Sequence, residues 1–323
     1  MCRIEDFSLK MLTSSSLVVG IEKVMRTHPL PDLPNFKIVP WEDKSTLEKA
    51  DVFVQANIKE NKHINLLPQY EYIEKSGKPW IVVESAVFRK NMPQPPHPNA
   101  YHRYSWFSYF RDEGNYNNHD CPPDRWLQIQ KDQKIEIKDW RSNGEYILLL
   151  LQRPGDSSLK NLISRYGSYE NFLSQTIKDI RKNTDRPIKV RLHPLRQDRQ
   201  LKVINKLKIQ DITISQNMAG SKPLEGGLGL EKDFEKAWAV VGFNSNALTE
   251  SVCEGIPTFS LCPSSMAWDC SNKHLVDLEQ PITFDRNQWL YNLGYCQWRE
   301  DEIARGDPWY HLLGAIPQNR IRT

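Results

Sequence analysis

The segment that most constrains the fold is Ile147–Leu151, an unbroken apolar run that stops at Gln152-Arg153-Pro154-Gly155-Asp156-Ser157-Ser158. A strand with one face in water alternates apolar and polar residues. A continuous apolar run bounded by turn formers is buried on both faces, as in a parallel sheet covered by helices. The rest of this half keeps that rhythm. It predicts strands at 146–151, 188–192, 211–214, 238–241 and 257–261, separated by helices at about 168–183, 197–207, 229–236 and 245–254. Strands and helices alternating at this spacing imply a parallel, doubly wound α/β sheet.

In such a sheet ligands bind outside the carboxyl ends of the strands, so the residues just past each strand carry the functional reading. The first strand delivers Gln152, Arg153, Asp156 and Ser157, and the second brings Arg191 and His193-Pro194. Together they suggest an anionic, hydroxyl-rich ligand, and a nucleotide sugar fits. After the fourth strand come Asn244, Ser245 and Asn246, at the expected start of a helix. Free N–H groups and the helix dipole there suit a phosphate, although Ser and Asn are equally ordinary N-caps. Glu250 follows one turn on, placed to reach a ligand hydroxyl, and Gly255-Ile256-Pro257 ends the helix.

The first half reads as a second α/β unit. Ser16–Gly20 is a short strand or a helix end, Phe36–Val39 and Asp51–Val54 are strands, and Asn65–Ser76 is a helix closed by Gly77-Lys78-Pro79. Trp80–Glu84 is a β-branched strand bounded by turn residues, while Asn91–Asn99 is too proline-rich for helix or central strand. Asn117–Pro123 reads as another loop. Tyr101, Tyr104, Trp106, Phe107, Tyr109 and Phe110 lie close together, flanked by Arg103 and Arg111. They are either a stacking platform for sugars or bases, or ordinary core. A polar stretch at 139–145 marks the expected linker. The organisation expected is a first domain at 1–145, a second at 146–284, and a helical tail at 285–323 whose Trp289, Trp298 and Trp309 pack back on the first domain.

Several classes are excluded by composition. At 323 residues with 39% hydrophobic and 26% charged content, the chain is an ordinary globular protein of two-domain length. No apolar run approaches the roughly 20 residues of a membrane helix. The N-terminus lacks the apolar core of a signal peptide, so a cytoplasmic location is expected. The six cysteines form no C-x-x-C pair, which suggests buried or free thiols rather than zinc or redox chemistry. No P-loop is present. The net charge is only +3, but 178–208 carries eleven Lys or Arg against three acids: a solvated face, or a rim that attracts phosphate.

The ordered set of Gln152-x-Pro154-x-Asp156 after a strand, Arg191-x-His193-Pro194, and Asn244-Ser245 with Glu250 before Gly255-x-Pro257 resembles the GT-B glycosyltransferases of bacterial capsule assembly, the Kdo-transferase-like family. The likeness is concentrated in 146–260. Upstream, Glu84 to Arg89 is similar to that family's acidic strand end, and Asp112, Glu113, Gly114 and Tyr116 to the block that follows it. The C-terminal block from Arg286 resembles phage proteins. The resemblance implies two Rossmann-like domains facing a cleft, donor on the second and acceptor on the first. It implies donor binding by Gln152, Arg153, Asp156, Ser157, Arg191, His193, Asn244, Ser245, Asn246 and Glu250. Catalysis would involve His193 with Glu84 or Asp112, and the acceptor would meet Arg89, Arg103, Trp106 and Arg111. No metal or cofactor is expected, since no D-x-D motif is present and GT-B enzymes usually manage without one; the nucleotide sugar is a co-substrate.

Three functions follow as expectations. The first is sugar transfer to a hydroxyl of a surface glycan. The second is transfer to hydroxymethylated bases of phage DNA, for which the aromatic-arginine cluster would hold a flipped base. The third is a GT-B-like binding module without catalysis. The oligomeric state, the sugar and the choice between retention and inversion stay open.

Overall fold

The structure is a computed structural model and describes residues 16–25, 30–56, 67–216 and 229–313. Its strands, in chain order, are β1 (Val18–Ile21), β2 (Phe36–Val39), β3 (Val52–Ala56), β4 (Trp80–Ser85), β5 (Tyr101–Trp106), β6 (Tyr146–Leu150), β7 (Ile188–Arg191), β8 (Ile212–Ile214), β9 (Ala237–Gly242), β10 (Thr258–Ser260) and β11 (Gln297–Arg299). Packing divides the chain into two units. The first holds 1–87, 92–126 and 290–323, and the second holds 88–91 and 127–289.

In the second unit five parallel strands run in the order β10-β9-β6-β7-β8. β6 is central and every residue of it is buried, which is why its sequence does not alternate. The helix Tyr169–Asn183 covers one face. Ser168 caps it by accepting a hydrogen bond from the Asn171 N–H, and Tyr169, Phe172, Leu173, Thr176, Ile177 and Ile180 form its buried stripe. A short helix just before it, Lys160–Tyr166, is invisible to the periodicity because only Leu162 is buried. Chain order reverses beside β6, since β7 and β8 lie on one side and β9 and β10 on the other. The carboxyl ends of β6 and β9 therefore flank the switch point where such sheets hold ligands.

The second unit extends upstream of 146. Lys138 N–H bonds Cys253 O at 2.9 Å, Arg141 N–H bonds Gly255 O at 2.8 Å, and Glu145 N–H bonds Lys236 O at 2.7 Å. The Trp140 indole donates to Phe284 O at 3.0 Å. The stretch 139–145 is thus laced into the second unit rather than strung between units, and the division falls at 126–127 and 289–290 instead of 145–146 and 284–285.

In the first unit the sheet runs β11-β5-β4-β3-β1-β2, with β2, β1, β3 and β4 parallel and β5 and β11 antiparallel to their neighbours. The aromatic segment is strand β5, buried along its whole length. Trp106 is 1% and Arg103 5% exposed. The Arg103 guanidinium donates to Ser85 O at 2.8 Å and Tyr109 O at 3.3 Å, so it braces the core. This corrects the expectation that Arg103 and Trp106 receive an acceptor; the cluster is packing. The tail is not wholly helical, because β11 adds an edge strand beside β5. Trp298 and Trp309 join the core of the first unit, with Trp309 edge-on to Phe36 at 4.6 Å. Trp289 instead belongs to the second unit, its indole donating to Met266 O at 3.0 Å.

Among the described residues no helix is long and apolar enough to cross a membrane. Cys121, Cys253, Cys262, Cys270 and Cys296 are buried free thiols. Cys2 lies outside the described residues.

Candidate functional site

The loops after β6 and β9 are tied together across the switch point. The Gln152 amide donates to Asn244 Oδ1 at 2.8 Å and to Ser158 Oγ at 3.1 Å, and its own Oε1 accepts from the Asn244 N–H at 3.2 Å. Asn244 Nδ2 donates to Ser158 O at 2.8 Å. Asp156 caps the single turn Ser157–Leu159, its Oδ1 accepting from the Ser158 N–H and hydroxyl at 3.0 and 2.9 Å. Its other oxygen receives Arg153 at 2.7 Å. Gln152, Asn244 and Asp156 therefore first build the loops, through a residue, Ser158, that the motif reading passed over. Ser157 is buried, while Ser245 and Asn246 are partly exposed ahead of the helix Ala247–Cys253, with Ser245 Oγ accepting from the Ala247 N–H at 3.3 Å.

His193 closes the loop after β7. Its N–H donates to Gln200 Oε1 at 2.8 Å, and Gln200 Nε2 returns a bond to His193 O at 3.0 Å. Nδ1 accepts from the Leu195 N–H at 3.1 Å, so the neutral ring carries its proton on Nε2. Burial holds the imidazole below its ordinary value, with Asp156 opposing and Arg153 and Arg89 reinforcing. The result is a neutral hydrogen-bond donor at a strand end. Gln200 is fully buried on the apolar stripe of its helix, and a glutamine in that stripe is the sequence signal that could have exposed it.

Arg191 has a different task from the one expected. It is 6% exposed, and its guanidinium meets the fully buried Asp233 at 2.6 Å. The Ser215 hydroxyl donates to both Asp233 oxygens, at 2.8 and 2.7 Å. Arg191 is the cation of a buried ion pair and braces the sheet instead of offering itself to a phosphate.

A pocket in the second unit is lined by Phe88, Ile135, Leu230, Phe234 and Cys253, with Arg89, Lys90, Glu136, Glu231, Glu250 and Glu254 as its polar groups. The Glu250 carboxyl is raised to about 7, chiefly by burial and further by Glu231, against the pull of Arg89, Lys90 and Arg191. A carboxyl held near neutrality inside a pocket is the arrangement functional sites tend to have. The apolar lining comes from four separate segments, so no linear motif could announce it.

Of the remaining expected residues, Glu84, Arg111 and Asp112 lie apart from this group in sequence and unit. Glu84 is the penultimate residue of β4, partly buried, with Oε1 accepting from the Ser85 N–H at 2.8 Å. Asp112 is exposed and Arg111 partly exposed, in the turn after Phe110. Both residues and Glu84 belong to the first unit, whereas Arg89 belongs to the second. Among the described residues no group of three or more His, Cys, Asp or Glu is placed to hold a metal ion.

The sheets, parallel throughout in the second unit and mixed in the first, give an α/β fold, and it is of the GT-B type. Among solved structures the chain is similar to Thermosulfurimonas dismutans KpsC, beta Kdo 2,4 transferase, with a TM-score of 0.56 and 10% identity over 88% of this chain and 92% of that one. It is similar also to the T. dismutans KpsC beta Kdo 2,7 transferase, with a TM-score of 0.52 and 10% identity over 93% and 99% of the two chains. No protein-family model matches the sequence, and no curated protein matches it. At this identity the likeness is one of fold.

Proposed function

We propose that the protein is a glycosyltransferase that moves a sugar from a nucleotide-activated donor to a hydroxyl of a surface glycan, with the donor held by the second unit. One observation carries the reading. The Gln152–Asn244–Ser158 bridge, the neutral His193 donor and the Glu250 pocket all belong to the unit whose switch point lies between β6 and β9. Fold likeness to two Kdo transferases supports the same class of reaction and makes a Kdo-type sugar the first donor to try.

Sugar transfer builds positive charge on the ring and negative charge on the departing phosphate. His193 Nε2–H donates to a phosphate oxygen at a site that needs no reorganisation as charge develops. Glu250, ionised, accepts a hydrogen bond from a ribose or sugar hydroxyl. The loop at Ser245 and Asn246, which follows β9, is the segment expected to approach the same phosphate. Of the two carboxylates expected to act in catalysis, Glu84 is favoured over Asp112, since it sits partly buried at a strand end while Asp112 is exposed in a turn. The scheme meets the phosphate charge with side chains and calls on no metal or cofactor.

The test is a melting-temperature panel with CMP, CDP, UDP, GDP and their common sugars. A ligand that binds only the folded state stabilises it by about 2.7 kcal/mol at a hundredfold excess over Kd. One nucleotide is expected to raise the melting temperature of the wild type and to lose that effect in His193→Ala. Silence from every nucleotide in the panel would sink the proposal. With the donor known, Glu84→Gln is expected to lower kcat at least about a hundredfold, and full turnover by that variant would remove Glu84 from the mechanism.

A further inference from the structure

Most of the cations around this site are already engaged. Arg191 is paired with Asp233 at 2.6 Å, Arg153 with Asp156 at 2.7 Å, and Lys90 lies 3.7 Å from Glu254, which also binds Lys138. Arg89 differs. It is exposed, and among the described residues its guanidinium has neither a hydrogen bond nor an ion pair, although Glu136, Glu231, Glu250 and Glu254 line the same pocket.

The backbone that presents it is fixed. Gln133, 1% exposed, donates its amide to Phe88 O at 3.0 Å, and its backbone oxygen accepts Asn91 Nδ2 at 3.0 Å. One buried glutamine thus grips the residue before Arg89 and the residue two after it. Phe88 is 2% exposed and lines the pocket. A flexible surface arginine would have no such mounting. The charge of Arg89 is also felt at both His193 and Glu250, so it lies within electrostatic reach of the phosphate donor and of the hydroxyl acceptor of the site.

We propose that Arg89 is the cation that binds the phosphate of the nucleotide, in place of Arg191 and instead of meeting an acceptor. The assignment rests on the nucleotide-binding reading above. The structure supplies for it a held backbone, an uncommitted guanidinium and a neighbouring neutral imidazole. Arginine is the suited side chain, because its planar fork matches two phosphate oxygens at once and stays charged at any working pH.

Titration calorimetry separates this from the parent reading. CMP, UDP, cytidine, uridine and inorganic pyrophosphate are titrated into wild type, Arg89→Gln and Arg89→Lys, with melting temperatures recorded to check folding. The expected result, well above pH 7 where Glu250 is ionised in both proteins, is that Arg89→Gln weakens the preferred nucleotide by about tenfold or more, leaves the matching nucleoside unchanged and melts as the wild type does. Arg89→Lys is expected to recover part of the loss. Because Arg89 favours the ionised form of Glu250, the pH at which nucleotide affinity is half lost should also move upward in Arg89→Gln. Equal nucleotide affinity in wild type and Arg89→Gln overturns the role of Arg89 and leaves the transferase reading standing. A wild type that binds neither nucleotide nor pyrophosphate overturns both.

Discussion

Glu250 shows how a single residue trades stability for a site. Its carboxyl titrates at about 7 in the fold against an ordinary 4.5. Between those two pH values the folded protein keeps a proton that the unfolded chain has released, so stability falls as pH rises through the window, and the cost is fully present above about 7. Glu250→Gln is neutral throughout. It is therefore expected to raise stability over the wild type by about 2 kcal/mol at pH 8 and by nearly nothing at pH 4, read from urea unfolding at each pH. Nucleotide affinity should move the other way and fall about tenfold at pH 8. A variant with no stability gain at pH 8 would mean that the carboxylate is better solvated than its burial implies. What was legible at this scale is position: Gln152 and His193 follow strand ends, and Glu250 lies on the helix after β9. The roles of Arg191 and Arg103 were not, because a letter code shows a charge and not its partner. Asp233 lies 42 residues from Arg191, and the carbonyls that hold Arg103 belong to every residue type alike.

Two glycines isolate what a helix end demands of its backbone. Gly255 ends the helix Ala247–Cys253 at φ +70°, and a Cβ there would fall 2.0 Å from Asp139 O. Gly77 has φ +69° with nothing within 4 Å. Both Gly→Ala variants incur the left-handed penalty, about 1 kcal/mol. Only Gly255→Ala must also push back a backbone segment, so it is expected to cost about 3 kcal/mol or more, and thermal unfolding of the pair measures the difference. Equal losses would show that the approach of 138–141 yields easily. Elements of the second unit were legible because buried parallel strands leave unbroken apolar runs and amphipathic helices leave a period. β5 and β11 were not. Tyr101–Trp106 is buried on both faces, yet it carries His102, Arg103 and Ser105, and β11 is three residues long. Neither has a period to read.

At the scale of the whole molecule the chain passes between units at 87–88, 91–92, 126–127 and 289–290. A cut at the polar stretch 139–145 would strip the second unit of Lys138, Trp140 and Arg141, with their bonds to Cys253 O, Phe284 O and Phe234 O. A fragment spanning 127–289 is accordingly expected to resist limited proteolysis far longer than one spanning 146–284, and indistinguishable digestion would show those contacts to be dispensable. Domain limits were hard to read because a boundary is a property of contacts, while polarity along the chain marks only exposure. The same path has a consequence in time. Synthesis runs from the N-terminus, and the second unit has all its chain once residue 289 has emerged. The first unit, although begun first, still lacks the edge strand beside β5 and the indoles of Trp298 and Trp309 that fill its core. The unit begun earlier is thus the one completed later, and its sheet lacks the strand beside β5 until residues 297–299 have been made.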